Sequence, residues 1–200
     1  MLGVLDFGVL SLIINGLKRR IDTMTDTTVT PAGAGWTEVL LDFGWVRVQH
    51  DRKLIRQVVL GGPVQGRSDP WMADLLHQVW YYGLNGLDLK FDLAGLSRFA
   101  RRILAVCAQI RFGEVKTYGA LAQAAGYPGA ARAVGQVMAY NRFAIFFPCH
   151  RVVGADGRLG GFTGGTGLKR RLLELEGWQI EGRGVNARLL KSRNQVCRGR

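Results

Sequence analysis

Cys149 and His150 stand side by side in "FFPCHRVVG", residues 146–154, directly after an apolar run and Pro148. A thiol beside an imidazole admits three chemistries: an inert buried thiol, half of a metal site, or a nucleophile with a base at hand. The other soft ligands do not complete a metal site. Cys107, Cys197, His50 and His77 lie far away in the chain, which has no CxxC or HxxxH pair. A structural zinc site is therefore not expected. Three cysteines at wide spacing are no disulfide framework, so a reducing cytoplasm is the default compartment. Between inert thiol and nucleophile, these residues alone do not choose.

The flanking elements must position that pair. Downstream, "GADGRLGGFTGGTG" is a glycine-rich loop without the GK[ST] ending of a phosphate loop. A loop so poor in side chains suits wrapping a flat ligand with backbone donors. "LKRRLLELEG" then reads as a helix stopped at Gly177. Upstream, "RFGEV" turns at Gly113, and "TYGALAQAAG" reads as a short helix with Thr117 as its N-cap. "YPG" breaks it, and "AARAVGQVMAYN", about residues 130–141, is a second short helix. Two short helices across a tight Gly/Pro turn outline a helix-turn-helix, although any small helical domain contains such pairs. Alanines and Gly135 leave one face of the second helix nearly smooth, with Arg132 projecting near its start. "LSRFARRILAVCAQI" puts Leu96, Phe99, Ile103, Val106, Cys107 and Ile110 on one helical face and arginines on the other. Cys107 reads as core.

Further upstream, "WTEVLLDF", "WVRVQH" and "KLIRQVVL" are rich in β-branched and aromatic residues and predict three strands in an antiparallel meander. Asp69 and Pro70 mark the N-cap and first position of a helix reaching about Tyr82, with Trp71, Leu75, Val79 and Tyr82 at helical spacing. His77 falls in this helix as a surface or half-packed side chain. Composition shifts near Leu93. The chain thus divides into an N-terminal extension (1–32), an α/β domain (33–92), a mainly helical domain (93–182) and a basic tail (183–200). The extension's apolar run is broken by Asp6 and is too short for a bilayer. Its basic residues follow the run, which is not the order of a signal peptide, and Met24 is an alternative start.

Charge gives the broadest functional signal: 27 Lys and Arg against 15 Asp and Glu, a net +12. That balance suits a polyanion, nucleic acid before membrane. From Gly182 on, six basic residues and no acid read as a solvated, disordered end.

The stretches "FGEVKTYGALAQAAGYPGAARAVGQVMAYN", "FFPCHRVVGADGRLGGFTGG" and "KRRLLELEG" closely resemble the O6-alkylguanine-DNA alkyltransferases, or methylated-DNA–protein-cysteine methyltransferases. The resemblance is specific over residues 93–177; over 36–92 it is a match of element order only. It implies an α+β fold: a small three-stranded antiparallel sheet with a helix, ribonuclease H-like, followed by a winged helix-turn-helix domain. It also implies a soluble monomer without cofactor or metal, whose partner is double-stranded DNA carrying O6-alkylguanine, with O4-alkylthymine as a second substrate.

By the same resemblance, Cys149 takes the alkyl group as a stable thioether and so reacts once. His150 is the base, acting through a water, and Glu176 orients it. Tyr118 donates toward guanine N3 and presses on the target phosphate. Asn141 is the hinge between the second helix and the active-site turn. Arg132 enters the duplex where the damaged nucleotide has rotated out, with Ala131 and Gly135 on the helix face that docks in the minor groove. Met138, Val152, Phe162 and Thr163 line the pocket. Two positions depart from the familiar pattern. Phe162 stands where some members carry tyrosine, and Arg142 replaces a common proline and adds a phosphate contact. Three rival readings are a binding-only alkyltransferase-like sensor, a helix-turn-helix regulator and a thiol hydrolase. The sensor normally lacks the cysteine, the regulator would need a sensing cluster absent from residues 1–92, and no acyl-pocket motif supports the hydrolase.

Overall fold

Alternation of apolar and polar residues builds the first layer of the computed structural model, which describes residues 35–51, 54–62 and 70–192. Strands β1 (Gly35–Leu41), β2 (Gly44–Asp51) and β3 (Leu54–Leu60) form the expected antiparallel meander. Val39 pairs with Val46 across the first hairpin, whose turn ends on Gly44 at a φ of 127°. The sheet gains a fourth strand beyond the expected three: β4 (Lys90–Phe91), within the stretch that reads as loop and short extended structure, joins β3 in parallel. Two residues are too short to leave a period in the sequence. The 1–32 extension and the Asp69 cap fall outside the described residues.

Helix α1 (Pro70–Tyr82) begins on the expected proline and covers one face of the sheet. Its buried stripe, however, is Met72, Leu75, Leu76, Val79 and Trp80, while Tyr82 is exposed and Trp71 only half-buried. Those five occupy i, i+3, i+4, i+7 and i+8, the full apolar stripe of a packed helix. Leu75 and Val79 of the expected stripe are thus buried, whereas its two aromatic ends give way to Met72 and Trp80. His77 lies on the exposed side.

Three helices follow. Helix α2 (Arg98–Cys107) is capped by Ser97, whose Oγ accepts from the Ala100 N–H at 3.1 Å. Helix α3 (Tyr118–Ala124) is capped in the same way by Thr117, accepting from Ala120 at 3.1 Å. Such caps contribute about 1 kcal/mol each. Helix α4 (Ala131–Ala139) has no side-chain cap and is held by burial of Val134 and Met138. A single cluster of buried side chains runs from Val39 on the sheet through α1, α2, α3 and α4 to Cys149 and Leu172. Cys107 lies within it, fully buried.

A short parallel pair, β5 (Lys116–Thr117) with β6 (Val152–Val153), sets Tyr118 beside the turn that carries Cys149. Helix α5 (Thr166–Leu175) then ends near Gly177, which has a φ of 89°. The tail differs from expectation. Strand β7 (Trp178–Glu181) pairs antiparallel with β8 (Arg188–Ser192), so residues up to 192 fold back instead of ending in solvent. The reason is a second small core of Leu159, Leu173, Trp178 and Ala187, which the basic residues obscure in the sequence.

Candidate active site

Cys149 opens a single 3-10 turn, Cys149–Arg151, with only 2% of its surface exposed. The loop leading into it is tightly constrained. Asn141 Nδ2 donates to the Phe147 carbonyl at 2.8 Å, and its Oδ1 accepts from the Phe143 N–H at 3.0 Å. Ile145, between them, has a φ of 75°, a conformation that a β-branched residue adopts only when its surroundings force it. One side chain thus ties the end of α4 to the loop before the cysteine turn.

His150 and Arg151 turn inward from the same 3-10 turn. His150 Nε2 lies 3.0 Å from Glu176 Oε1, and both side chains are essentially fully buried. Arg151 donates to the same oxygen from Nε at 2.9 Å, and to the carbonyls of Ile110 and Trp80 at 2.8 Å each. The Gly113 N–H reaches Glu176 Oε2 at 3.2 Å. Burial works against a charged Glu176, but the His150 and Arg151 hydrogen bonds and charges hold its carboxyl below the usual range. An ionised carboxylate only accepts, so the imidazole proton sits on Nε2 and Nδ1 keeps its lone pair. Burial also holds His150 below its ordinary pKa, with Glu176 opposing. The imidazole is neutral at pH 7 and able to take a proton.

The thiol's own environment is mixed. Burial pushes Cys149 up, while a hydrogen bond from Asn141, the Lys169 charge and backbone N–H groups pull it back. Lys169 is wholly buried, with Nζ donating to the Val152 and Leu159 carbonyls at 2.6 Å each and lying 6.0 Å from the centre of the Tyr118 ring. Burial lowers its pKa to about 8. Tyr118 is raised, by burial and then by Cys149. The thiolate is therefore not standing ready, and its proton must leave as the sulfur attacks.

Of the expected residues, Cys149, His150, Glu176, Asn141 and Tyr118 converge here. Met138 and Val152 are buried in the same cluster, and Phe162 packs against it. Thr163 Oγ1 donates to the Ala139 carbonyl at 2.9 Å, tying the glycine-rich loop to the end of α4. Arg132 is exposed on α4, with Ala131 and Gly135 half-buried nearby, and a Cβ added at Gly135 would meet nothing within 4 Å. Arg142 is held within the protein. Its guanidinium donates to the Asp92 and Ala94 carbonyls, lies over the Phe143 ring and so ties the loop to the β4 segment.

Three residues escaped the sequence reading. Trp80 stacks on His150 at 5.1 Å and 8°, so α1 backs the imidazole. Its signal was the buried stripe of α1. Arg151 and Lys169 leave no local signal, because an arginine or lysine in a basic chain reads as surface. Among the described residues, no group of three His, Cys, Asp or Glu converges as a metal site.

Fold and site together define a cysteine-centred protein: a buried thiol flanked by imidazole and carboxylate, behind a pair of short helices. The family model for the DNA-binding domain of 6-O-methylguanine DNA methyltransferase matches residues 98–178. A methylated-DNA–protein-cysteine methyltransferase of Mycolicibacterium paratuberculosis is 37% identical over 153 residues, 76% of each chain. One from Mycobacterium bovis is 45% identical over 104 residues, 52% of this chain and 62% of that protein. The structure of Mycobacterium tuberculosis OGT in complex with DNA superposes with a TM-score of 0.57 at 33% identity, covering 70% of this chain and 92% of that one. The chain belongs to the methylated-DNA–protein-cysteine methyltransferase family, and is an enzyme of that class.

Proposed function

We propose that this protein repairs duplex DNA by taking the alkyl group of O6-alkylguanine onto Cys149, once per molecule. The observation that carries the reading is the buried contact between His150 Nε2 and Glu176 Oε1 on the turn that begins with Cys149. The sulfur attacks the alkyl carbon, a C–S bond forms, and the carbon–O6 bond breaks with its electrons passing to guanine. The thiol proton leaves through a water toward His150 Nδ1, and Tyr118 supplies a proton to guanine N3. The product thioether has no route back. O4-alkylthymine presents the same alkyl carbon on an exocyclic oxygen and serves as a second substrate.

A nearly sealed thiol cannot reach a base inside the stack, so the damaged nucleotide must rotate out. Unstacking costs a few kcal/mol, offset by backbone contacts and by Arg132 filling the gap. The smooth face of α4 around Ala131 and Gly135 suits close approach in the minor groove without reading sequence. Met138, Val152, Phe162 and Thr163 would wall the pocket. In this reading residues 33–92 form a ribonuclease H-like domain. Residues 93–182, continued by the β7–β8 hairpin, form a winged helix-turn-helix domain that works as a monomer in the cytoplasm.

Intact-protein mass, before and after mixing with a duplex containing one O6-methylguanine, tests the proposal against Cys149→Ala. The expected result is a gain of one methyl group on the unmutated protein alone, mapping to Cys149 and saturating at one per molecule. Unchanged mass with damage-selective binding would mean a sensor of the alkyltransferase-like type. Continued turnover would mean a different thiol chemistry.

A further inference from the structure

We propose that Arg98, Arg101 and Arg102 form a phosphate clamp that grips the DNA backbone on the arm flanking the damaged nucleotide, beyond the reach of α4 and Tyr118. The inference rests on the repair reading above and adds a contact surface to it. All three arginines are exposed and lie within about one turn of α2, at i, i+3 and i+4. They line an open cleft of about 560 Å³, whose other wall is Ala125, Gly126 and Tyr127, the turn between α3 and α4. That turn leads directly into the start of α4, where Arg132 stands. A backbone running past Arg132 therefore has this cleft as its next cationic surface.

The cleft is built in advance. The Tyr127 ring packs edge-on against Phe99 of α2 at 4.9 Å, and its N–H donates to the Ala122 carbonyl at 2.9 Å. Arg101 is held from behind, with Nε donating to the Leu96 carbonyl at 3.0 Å and NH2 to Leu93 at 3.1 Å. Arg102 Nε lies 3.5 Å from the Ala125 carbonyl across the cleft.

Charge identifies the occupant. Elsewhere arginines find carboxylates: Arg47 on Glu38, Arg158 on Asp156, Arg170 on Glu174. Among the described residues no ion pair engages Arg98, Arg101 or Arg102, and no acid stands in the first turn of α2. Like charges at this spacing destabilise a helix, a cost that a row of phosphates removes. Phosphate contacts of this kind fix position without reading sequence, which is what a scanner of damage requires.

The test is Arg98→Gln with Arg102→Gln, leaving Arg101 because it holds two carbonyls. Binding to an O6-methylguanine duplex is measured over a range of salt in the Cys149→Ala background. Loss of two phosphate contacts lowers the slope of log affinity against log salt by about 1.8, with duplex binding weaker by roughly tenfold at low salt. Trimming the duplex on the clamped side brings the protein without the arginine changes down to the same affinity. With Cys149 present, methyl transfer from free O6-methylguanine base keeps its rate in the arginine variant. An unchanged salt slope overturns the clamp. So does an equal slowing with the free base, which would mean a damaged fold, or a loss confined to anionic vesicles, which would mean a membrane surface. If the protein with all its arginines neither binds the duplex nor accepts a methyl group from either substrate, the repair reading itself falls, and the clamp with it.

Discussion

Replacing Lys169 with methionine keeps a long apolar stem and removes the most deeply buried positive charge beside the thiol. Burial moves the lysine from 10.5 to about 8, and at 1.36 kcal/mol per unit this displacement is worth roughly 3 kcal/mol. The folded value lies below the unfolded one, so between about pH 8 and 10.5 the unfolded chain holds a proton that the folded chain has lost. Stability therefore rises with pH through that window, and below it the folded protein carries the whole cost of a buried ammonium. The thiols and Tyr118 titrate nearby with the opposite slope, since burial raises their folded values, but they are common to both proteins. The difference between the two proteins therefore reports the lysine together with its coupling to Cys107 and Cys149, whose ionisation its charge favours. Urea unfolding followed by tryptophan fluorescence across that window should show the unmutated protein gaining roughly 3 kcal/mol on the variant as pH rises. Methionine also strips the donor from two buried carbonyls, a pH-independent loss of about 1–3 kcal/mol each. Parallel pH curves for the two proteins would refute the reasoning, because the lysine would then be titrating as if in water. The same change removes a charge that helps Cys149 ionise. Without it the thiol's pKa stands higher still, so methyl transfer should slow.

Glu176→Gln leaves Arg151 buried without its carboxylate, and unfolding should detect a loss of about 3–5 kcal/mol at neutral pH. The variant should also lose acid sensitivity. The folded pKa of Glu176 lies below its ordinary value, so its contribution is present at neutral pH and lost as pH falls through the folded value. His150, lowered by burial, acts in the same direction below its ordinary value of 6.5. Asn141→Ala cuts the bonds to Phe147 and Phe143 and the one to the thiol. It should cost about 1–3 kcal/mol in thermal or urea unfolding and slow transfer from the free base as well as from DNA, whereas loss of a DNA contact alone would spare the free base.

Reading the sequence worked where a residue's neighbours in the chain are also its neighbours in space. The three-strand meander, the apolar face of α2 and the Thr117 cap follow from patterns a few residues long. The site itself joins residues 25 or more positions apart, as His150 and Arg151 meet Glu176, and Arg151 meets Trp80 across 71. Such contacts leave no period, and only the resemblance suggested that Glu176 belongs with Cys149. Charge misled most. Arg151 and Lys169 are fully interior while sequence rules put arginine and lysine outside, and the basic tail hides Ala187 and Leu189, which close the small core against Trp178. For Arg151 and Lys169 the cause is the same. A cation is buried here only because backbone carbonyls or a carboxylate from a distant segment receive it, and those partners exist only after folding. The polar skeleton that makes the site hard to read is also what gives it direction. Trp80 on α1 and Glu176 after α5 each fix one side of the imidazole, and the Gly113 N–H holds that carboxylate, so loosening any of these segments should move the imidazole before it moves the sulfur.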